Sequence, residues 1–223
     1  MNFNEINNIF DIDKDLMKKI DEFKDERISK ATSSAGEKYS VVFHAIPLNA
    51  FSKLPISMYG MSDELRKHSF FSGLYSYNFE GLYNNGVGSE FYQIFRNGII
   101  EVRLEEYGPE HRISVNYYRD EFVKFVKDSL NIYNSIGIEC PILFNITIVN
   151  IKDCKLDEGP RLRSRVMDLE RNVLDPIGYI IGEDSNVENE VGKLFVPIWN
   201  HFGVSEDYIN YRDEWVGFHF SSY

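Results

Sequence analysis

Few side chains able to do chemistry stand where they could do it together. One set comes near: Glu80 on one expected strand, and Glu101 and Arg103 on a later one. Metal-dependent nucleases often place carboxylates and a basic residue on neighbouring strands, so that a divalent cation bridges them and the phosphate. Two features weigh against this. A lysine is expected where Arg103 stands, and Glu101, Glu105 and Glu106 suit an exposed hairpin face equally well. A second set is Arg161, Arg163 and Arg165, which alternate, with Arg171 close behind. On a strand they would share one face and could receive a phosphate or an acidic partner, although solvated loop charge explains them as well. A third is Tyr75, Tyr77 and Phe79, which would line one face of a strand as core, interface or base-stacking surface.

Motifs with their own mechanism are missing. The five histidines, His44, His68, His111, His201 and His219, form no HxH, HExxH or Cys/His spacing, so no metal is expected. His44, central in an apolar strand, reads as a core histidine. The sequence has no GxSxG, no GxxxxGK[ST] and no GxGxxG after a strand; Gly86-Val87-Gly88 is only a loop pair. No cofactor and no catalytic residue are expected beyond the nuclease alternative.

The elements that must position these residues are organised around Phe91 to Val102. Two β-rich runs flank Arg96-Asn97-Gly98, and Asn-Gly between such runs predicts a hairpin, Glu90–Phe95 with Ile99–Tyr107, closed by a primed turn with positive φ at both central residues. Asp11 to Lys30 reads as a helix with Ile12, Leu16, Ile20 and Phe23 on one face, followed by a polar loop over Ala31 to Lys38. Tyr39 to Leu48 is a buried strand. Asn49 to Ser72 is loop with a helical turn near Ser62 to Lys67, and Tyr75 to Tyr83 a strand. A short strand over Arg112 to Asn116 precedes a long helix, Tyr118 to Ile136, whose stripe runs Phe122, Phe125, Val126, Leu130, Tyr133, Ile136 and ends at Gly137. Pro141 to Ile151 is a strand apolar on both faces. Further on come strands over Val166–Val173 and Ile177–Ile181, a helix over Glu188–His201 with a kink at Pro197, and a strand over Glu214–Phe220.

The 223 residues suit one large domain: an N-terminal helix and linker over 1–38, then a single α+β domain over 39–223, its mainly antiparallel sheet covered by two principal helices. The aromatic share of 15% favours a packed sheet over disorder, and the net charge of −11 argues against nucleic acid as a partner of this domain alone. Cys140 and Cys154 flank a strand that holds them too far apart for a disulfide, which together with the absence of an apolar leader or span suggests reduced thiols and a cytoplasmic protein with no membrane partner.

A family resemblance rests on VVFHAIPLNAF (Val41 to Phe51), YNFEGL (Tyr77 to Leu82), FYQIFRNGIIEV (Phe91 to Val102), YNSIGIECPILFNITIVNIKD (Tyr133 to Asp153) and LFVPIWNHFGV…NY (Leu194 to Tyr211). In this order they resemble the region downstream of the Schlafen-type AlbA domain in bacterial proteins described as ATP-binding or DNA-binding. The AlbA domain itself is absent, so no catalytic residue carries over. The resemblance implies a non-catalytic accessory domain of a nucleic-acid-associated effector, for regulation, oligomerisation or ligand sensing, in bacterial stress or phage defence. Its partner would be a separate protein or an attached effector domain, the chain being a fragment or a stand-alone companion. Two alternatives stay open: a small metal-dependent nuclease through Glu80, Glu101 and Arg103, and a small-molecule or nucleotide sensor with a pocket lined by Tyr and Phe.

Overall fold

A computed structural model describes residues 14–36, 38–52, 55–71, 73–85, 90–105, 111–139, 141–157, 171–176, 178–181 and 186–205. The Arg161, Arg163 and Arg165 segment, Cys140 and the strand expected over Glu214–Phe220 lie outside these residues.

The chain is α+β, and its frame is an eight-stranded antiparallel sheet. In chain order the elements are α1 (Lys14–Ala35), β1 (Ser40–Pro47), α2 (Met61–Leu65), β2 (Ser76–Tyr77), β3 (Gly81–Asn85), β4 (Glu90–Phe95), β5 (Ile100–Glu105), β6 (Arg112–Ile113), α3 (Val115–Ser135), β7 (Ile142–Val149), β8 (Lys155–Leu156), β9 (Val173–Leu174), β10 (Tyr179–Ile181) and α4 (Val187–His201). Strand order is β10-β7-β1-β5-β4-β3-β2, with β9 pairing β7 as well; β6 and β8 form a separate parallel pair.

Alternation along each strand sorts the two faces. Val41, Phe43 and Ala45 of β1, Ile100, Val102 and Leu104 of β5, and Phe144, Ile146 and Ile148 of β7 join the main core with α3 and α4. The centre of that core is aromatic: Phe125 on α3 meets the rings of Phe43, Phe70, Phe71, Phe122 and Phe144. The other face of the sheet is covered by α1. There the apolar contacts fall into two smaller clusters, one around Ile20, Ile46, Phe95, Ile99 and Leu143, the other around Ala31, Val42 and Val149.

The hairpin is where the sequence puts it, but its turn differs. Only Gly98 has positive φ (87°), Gly98 N–H donates to Phe95 O at 2.9 Å, and Phe95 N–H donates to Ile99 O at 2.8 Å. This is a three-residue loop with a glycine bulge rather than a primed two-residue turn, and the bulge needs one left-handed residue instead of two.

Three further boundaries move. The helix α1 runs on to Ala35, because the hydroxyls of Thr32, Ser33 and Ser34 donate back to the carbonyls of Ile28, Ser29 and Lys30, which makes linker-like residues compatible with a helix. The helix α3 starts at Val115, ahead of its expected start at Tyr118, since the Ser114 hydroxyl accepts from Tyr117 N–H as an N-cap; it closes at Gly137 (φ 72°), with Ile138 N–H donating to Tyr133 O, as the sequence suggests. The strand expected from Tyr75 to Tyr83 is two strands, β2 and β3, turned back on each other at Asn78, whose side chain accepts from Gly81 N–H at 2.7 Å. Gly81 is required there: its φ is 156°, and a Cβ would lie 2.0 Å from Ile94 O.

Candidate functional site: a buried charge cluster beneath α1

On β5, Glu101 and Arg103 alternate with the core-facing Ile100 and Val102, so both point toward α1. Register then places Gln93 of β4 and His44 of β1 on either side of Glu101, and Asn145 of β7 beyond His44. The result is a polar row, Gln93, Glu101, His44, Asn145, crossing the four central strands. All four are buried, Glu101, His44 and Asn145 with no exposed surface.

The helix α1 lies over this row. Its buried positions, Ile20, Lys24, Arg27 and Ala31, follow the i, i+4, i+7, i+11 spacing of one helical face, and two of them are cations. Arg27 Nε donates to Glu101 Oε2 at 2.6 Å and Nη2 to Oε1 at 3.0 Å, a bidentate fork, while its guanidinium sits 4.9 Å from the centre of the Phe95 ring. Glu80, in the turn before β3, reaches the same guanidinium at 3.6 Å and accepts from Gln93 Nε2 at 3.3 Å. Arg103 Nε makes an ion-pair contact with Glu101 Oε1 at 3.3 Å, and its guanidinium stacks 4.0 Å above Phe91. One turn away, Lys24 pairs with Asp175 at 2.9 Å, which also accepts from Thr147 Oγ1 at 2.6 Å and Asn145 Nδ2 at 3.3 Å.

The structure therefore brings Glu80, Glu101 and Arg103 together, but around Arg27 rather than around an open cleft. The exposed hairpin face expected for Glu101 is wrong, because α1 covers that side of the sheet. Arg27 stands between Glu80 and Glu101, where a bridging cation would have to sit, and both Glu101 oxygens are engaged. Burial alone would push the Glu101 carboxyl up; hydrogen bonds and charge from His44 and Arg27 outweigh it and hold the group at about 2, below the ordinary 4.5. Arg27 gains correspondingly: burial opposes its charge, and Glu101 raises it above its ordinary value. A carboxylate held ionised this firmly is neither a general acid nor a usable base near neutral pH. His44 Nε2 lies 3.2 Å from Glu101 Oε2 and carries the proton toward that anion, which leaves Nδ1 buried without a hydrogen bond. Among the described residues no three His, Cys, Asp or Glu side chains are grouped to hold a metal ion.

Acid should expose this carboxylate's contribution. Glu101 titrates lower folded than unfolded, so its stabilisation is fully present above about pH 4.5 and is lost as pH falls toward 2; the difference corresponds to about 3 kcal/mol. Urea unfolding followed across that window should show a steep loss for the native chain, and a curve flatter by about that amount for Glu101→Gln. Parallel curves would mean that Glu101 is not the titrating group.

The aromatic set is divided. Tyr75 is half-buried against the main core, its hydroxyl donating to Phe71 O at 2.6 Å. Tyr77 (58% exposed) and Phe79 (95%) face solvent, the second at the turn rather than on a strand. With Tyr59 (96%) and Leu74 (83%) they are the exposed large apolar side chains of the described residues. Tyr77 also reaches toward Met58 O at 3.4 Å, beside Tyr59, and belongs to β2, an edge strand. Sequence reasoning missed Lys24 and Arg27. The signal was present as charges that continue the apolar stripe of α1 past Ile20.

No family model matches the chain, and neither a curated protein nor a solved structure matches it. No helix of the described residues is long and apolar enough to cross a membrane.

Proposed function

We propose that this chain is a non-catalytic accessory domain of a bacterial Schlafen/AlbA-type nucleic-acid-associated effector, cytoplasmic, with regulation, oligomerisation or ligand sensing as its task and stress or phage defence as its setting. The observation that carries the non-catalytic part is the state of Glu101: within the constellation best suited to metal-dependent cleavage, this carboxylate is buried, held ionised and occupied by the protein's own arginine. The motif resemblance carries the association with the effector. The surface for a protein partner is the Tyr77 and Phe79 end of the sheet, where apolar side chains stand in water at a strand edge.

The test is the mass of the native chain purified from its source cells, with stoichiometric partners identified in the same run. A chain heavier than 26.1 kDa that carries an AlbA-type domain, or a 26.1 kDa chain bound to a protein that does, is the expected result. A 26.1 kDa chain recovered alone would overturn the proposal. So would magnesium- or manganese-dependent cleavage of nucleic acid by the purified chain that disappears in Glu101→Gln. For the surface, a Tyr77→Ser, Phe79→Ser chain should keep its stability to within about 0.5 kcal/mol, since both side chains are exposed. Its association with the effector, read by titration calorimetry, should weaken at least tenfold; undiminished binding would remove this face from the interface.

A further inference from the structure

We infer that α1 is a releasable latch on the sheet, seated by a shallow apolar seam and closed by a charge lock. Three observations carry this. First, the apolar hold of α1 is shallow: Ile20 and Ala31 are the only fully buried apolar side chains among its described residues, with Leu16, Met17, Phe23 and Ile28 half-buried beside them, against Val115, Tyr118, Phe122, Phe125, Val126, Ile132 and Tyr133 fully buried on α3. The other buried positions of α1 are Lys24 and Arg27, and each is paired with a carboxylate of the body.

Second, the main core does not include α1. Its members come from the opposite face of the sheet and from α3 and α4, whereas α1 contributes only to the two smaller clusters. The polar row beneath α1 also keeps partners of its own. Gln93 donates to Glu80, Asn145 to Pro176 O, Thr147 to Asp175, and Arg103 remains beside Glu101. When α1 lifts, the sheet therefore retains both its core and most of its polar bonds.

Third, the connection is built as a pivot. The helix ends at Gly36, in the left-handed region at φ 63°, shortly before β1 begins at Ser40. Asn150, at the end of β7, donates to both Gly36 O at 2.9 Å and Lys38 O at 3.1 Å, and Asn172 in turn bonds Asn150. The pivot stays tied to the sheet whether α1 is down or up. Lifted, α1 uncovers Glu101 between Glu80 and Asp175, which already reach solvent, and the three carboxylates can receive a helix with two cations one turn apart.

Amide hydrogen exchange on the full chain, comparing the wild type with Arg27→Met and with Lys24→Met, tests the latch. The α1 amides should exchange at least tenfold faster in Arg27→Met, and faster to a lesser degree in Lys24→Met, while the interior amides of β1, β5 and β7 stay at least about a hundredfold better protected than those of α1 in every chain. The double variant Arg27→Met, Glu101→Gln should return α1 toward wild-type protection, because neither Arg27 nor Glu101 is then left buried without the other, and Arg103 keeps Phe91 and the Ser34 hydroxyl. Protection of α1 equal to that of the strands, or no change in α1, overturns the inference. An Arg27→Met chain that fails to fold overturns it too, since releasing a latch leaves the sheet standing.

Discussion

Arg27→Met is expected to lose about 3–5 kcal/mol of folding stability, as removal of one partner from a buried ion pair generally does. The reason lies with what stays behind. Methionine fills the space beside Phe95, but Glu101 remains under α1 with only His44 and Arg103 for company. A carboxylate cannot be buried on such terms without being protonated or drawing in water, and either route costs free energy. Glu101→Gln should be costly for the mirror reason, leaving a buried guanidinium with Glu80 alone, at 3.6 Å. Replacing both members removes the mismatch, and the double variant should recover at least about 2 kcal/mol of the summed single losses. Chemical denaturation of the four chains measures this cycle. Single losses below about 1 kcal/mol would mean that water already reaches the pair, and that its burial contributes little.

Phe125→Ala is expected to cost a comparable amount, about 3–5 kcal/mol, by an unrelated mechanism. Phe125 is the ring on which the main core converges. Its centroid lies 5.5 Å from Phe43 on β1, 5.8 Å from Phe70, 5.8 Å from Phe122 on α3 and 6.0 Å from Phe144 on β7. Truncation removes the transfer free energy of the ring and leaves a hole whose walls belong to four separate segments. Walls fixed by a sheet on one side and a 21-residue helix on the other cannot close on it. A shift in the denaturation midpoint with an unchanged slope would show that the native state persists around the cavity. A loss below about 2 kcal/mol would show that the rings relax inward. The contrast with Phe79, where the same chemistry sits in water and should cost almost nothing, separates burial from residue type.

The two losses also fall in different places. The Phe125 cavity lies in the cluster shared by the sheet, α3 and α4, so it weakens the whole fold. The Arg27 change lies between the sheet and α1, so its cost cannot exceed what seats α1. Exchange data and denaturation data should therefore agree for Arg27→Met only when both are referred to α1.

Periodicity read from the sequence gives the hairpin, the α3 stripe and its close at Gly137, the buried β1 and β7, and the α+β class, because alternation of two and of 3.6 is imposed by local geometry and solvent alone. The same local logic explains the misses. The hydroxyls of Thr32, Ser33 and Ser34 serve a loop or a helix equally, and the Tyr75 to Tyr83 run carries strand propensity on both sides of a turn that Asn78 and Gly81 decide. What the sequence could not supply is the meaning of Glu101. Its spacing with Arg103 fixes a shared face, but whether that face meets water, a metal ion or a helix depends on strand order, which sets Glu101 of β5 beside His44 of β1, 57 residues away, and on where α1 comes down. Tertiary structure alone set Arg27 against Glu101, 74 residues apart in the chain, and so turned a candidate catalytic carboxylate into one half of a buried ion pair.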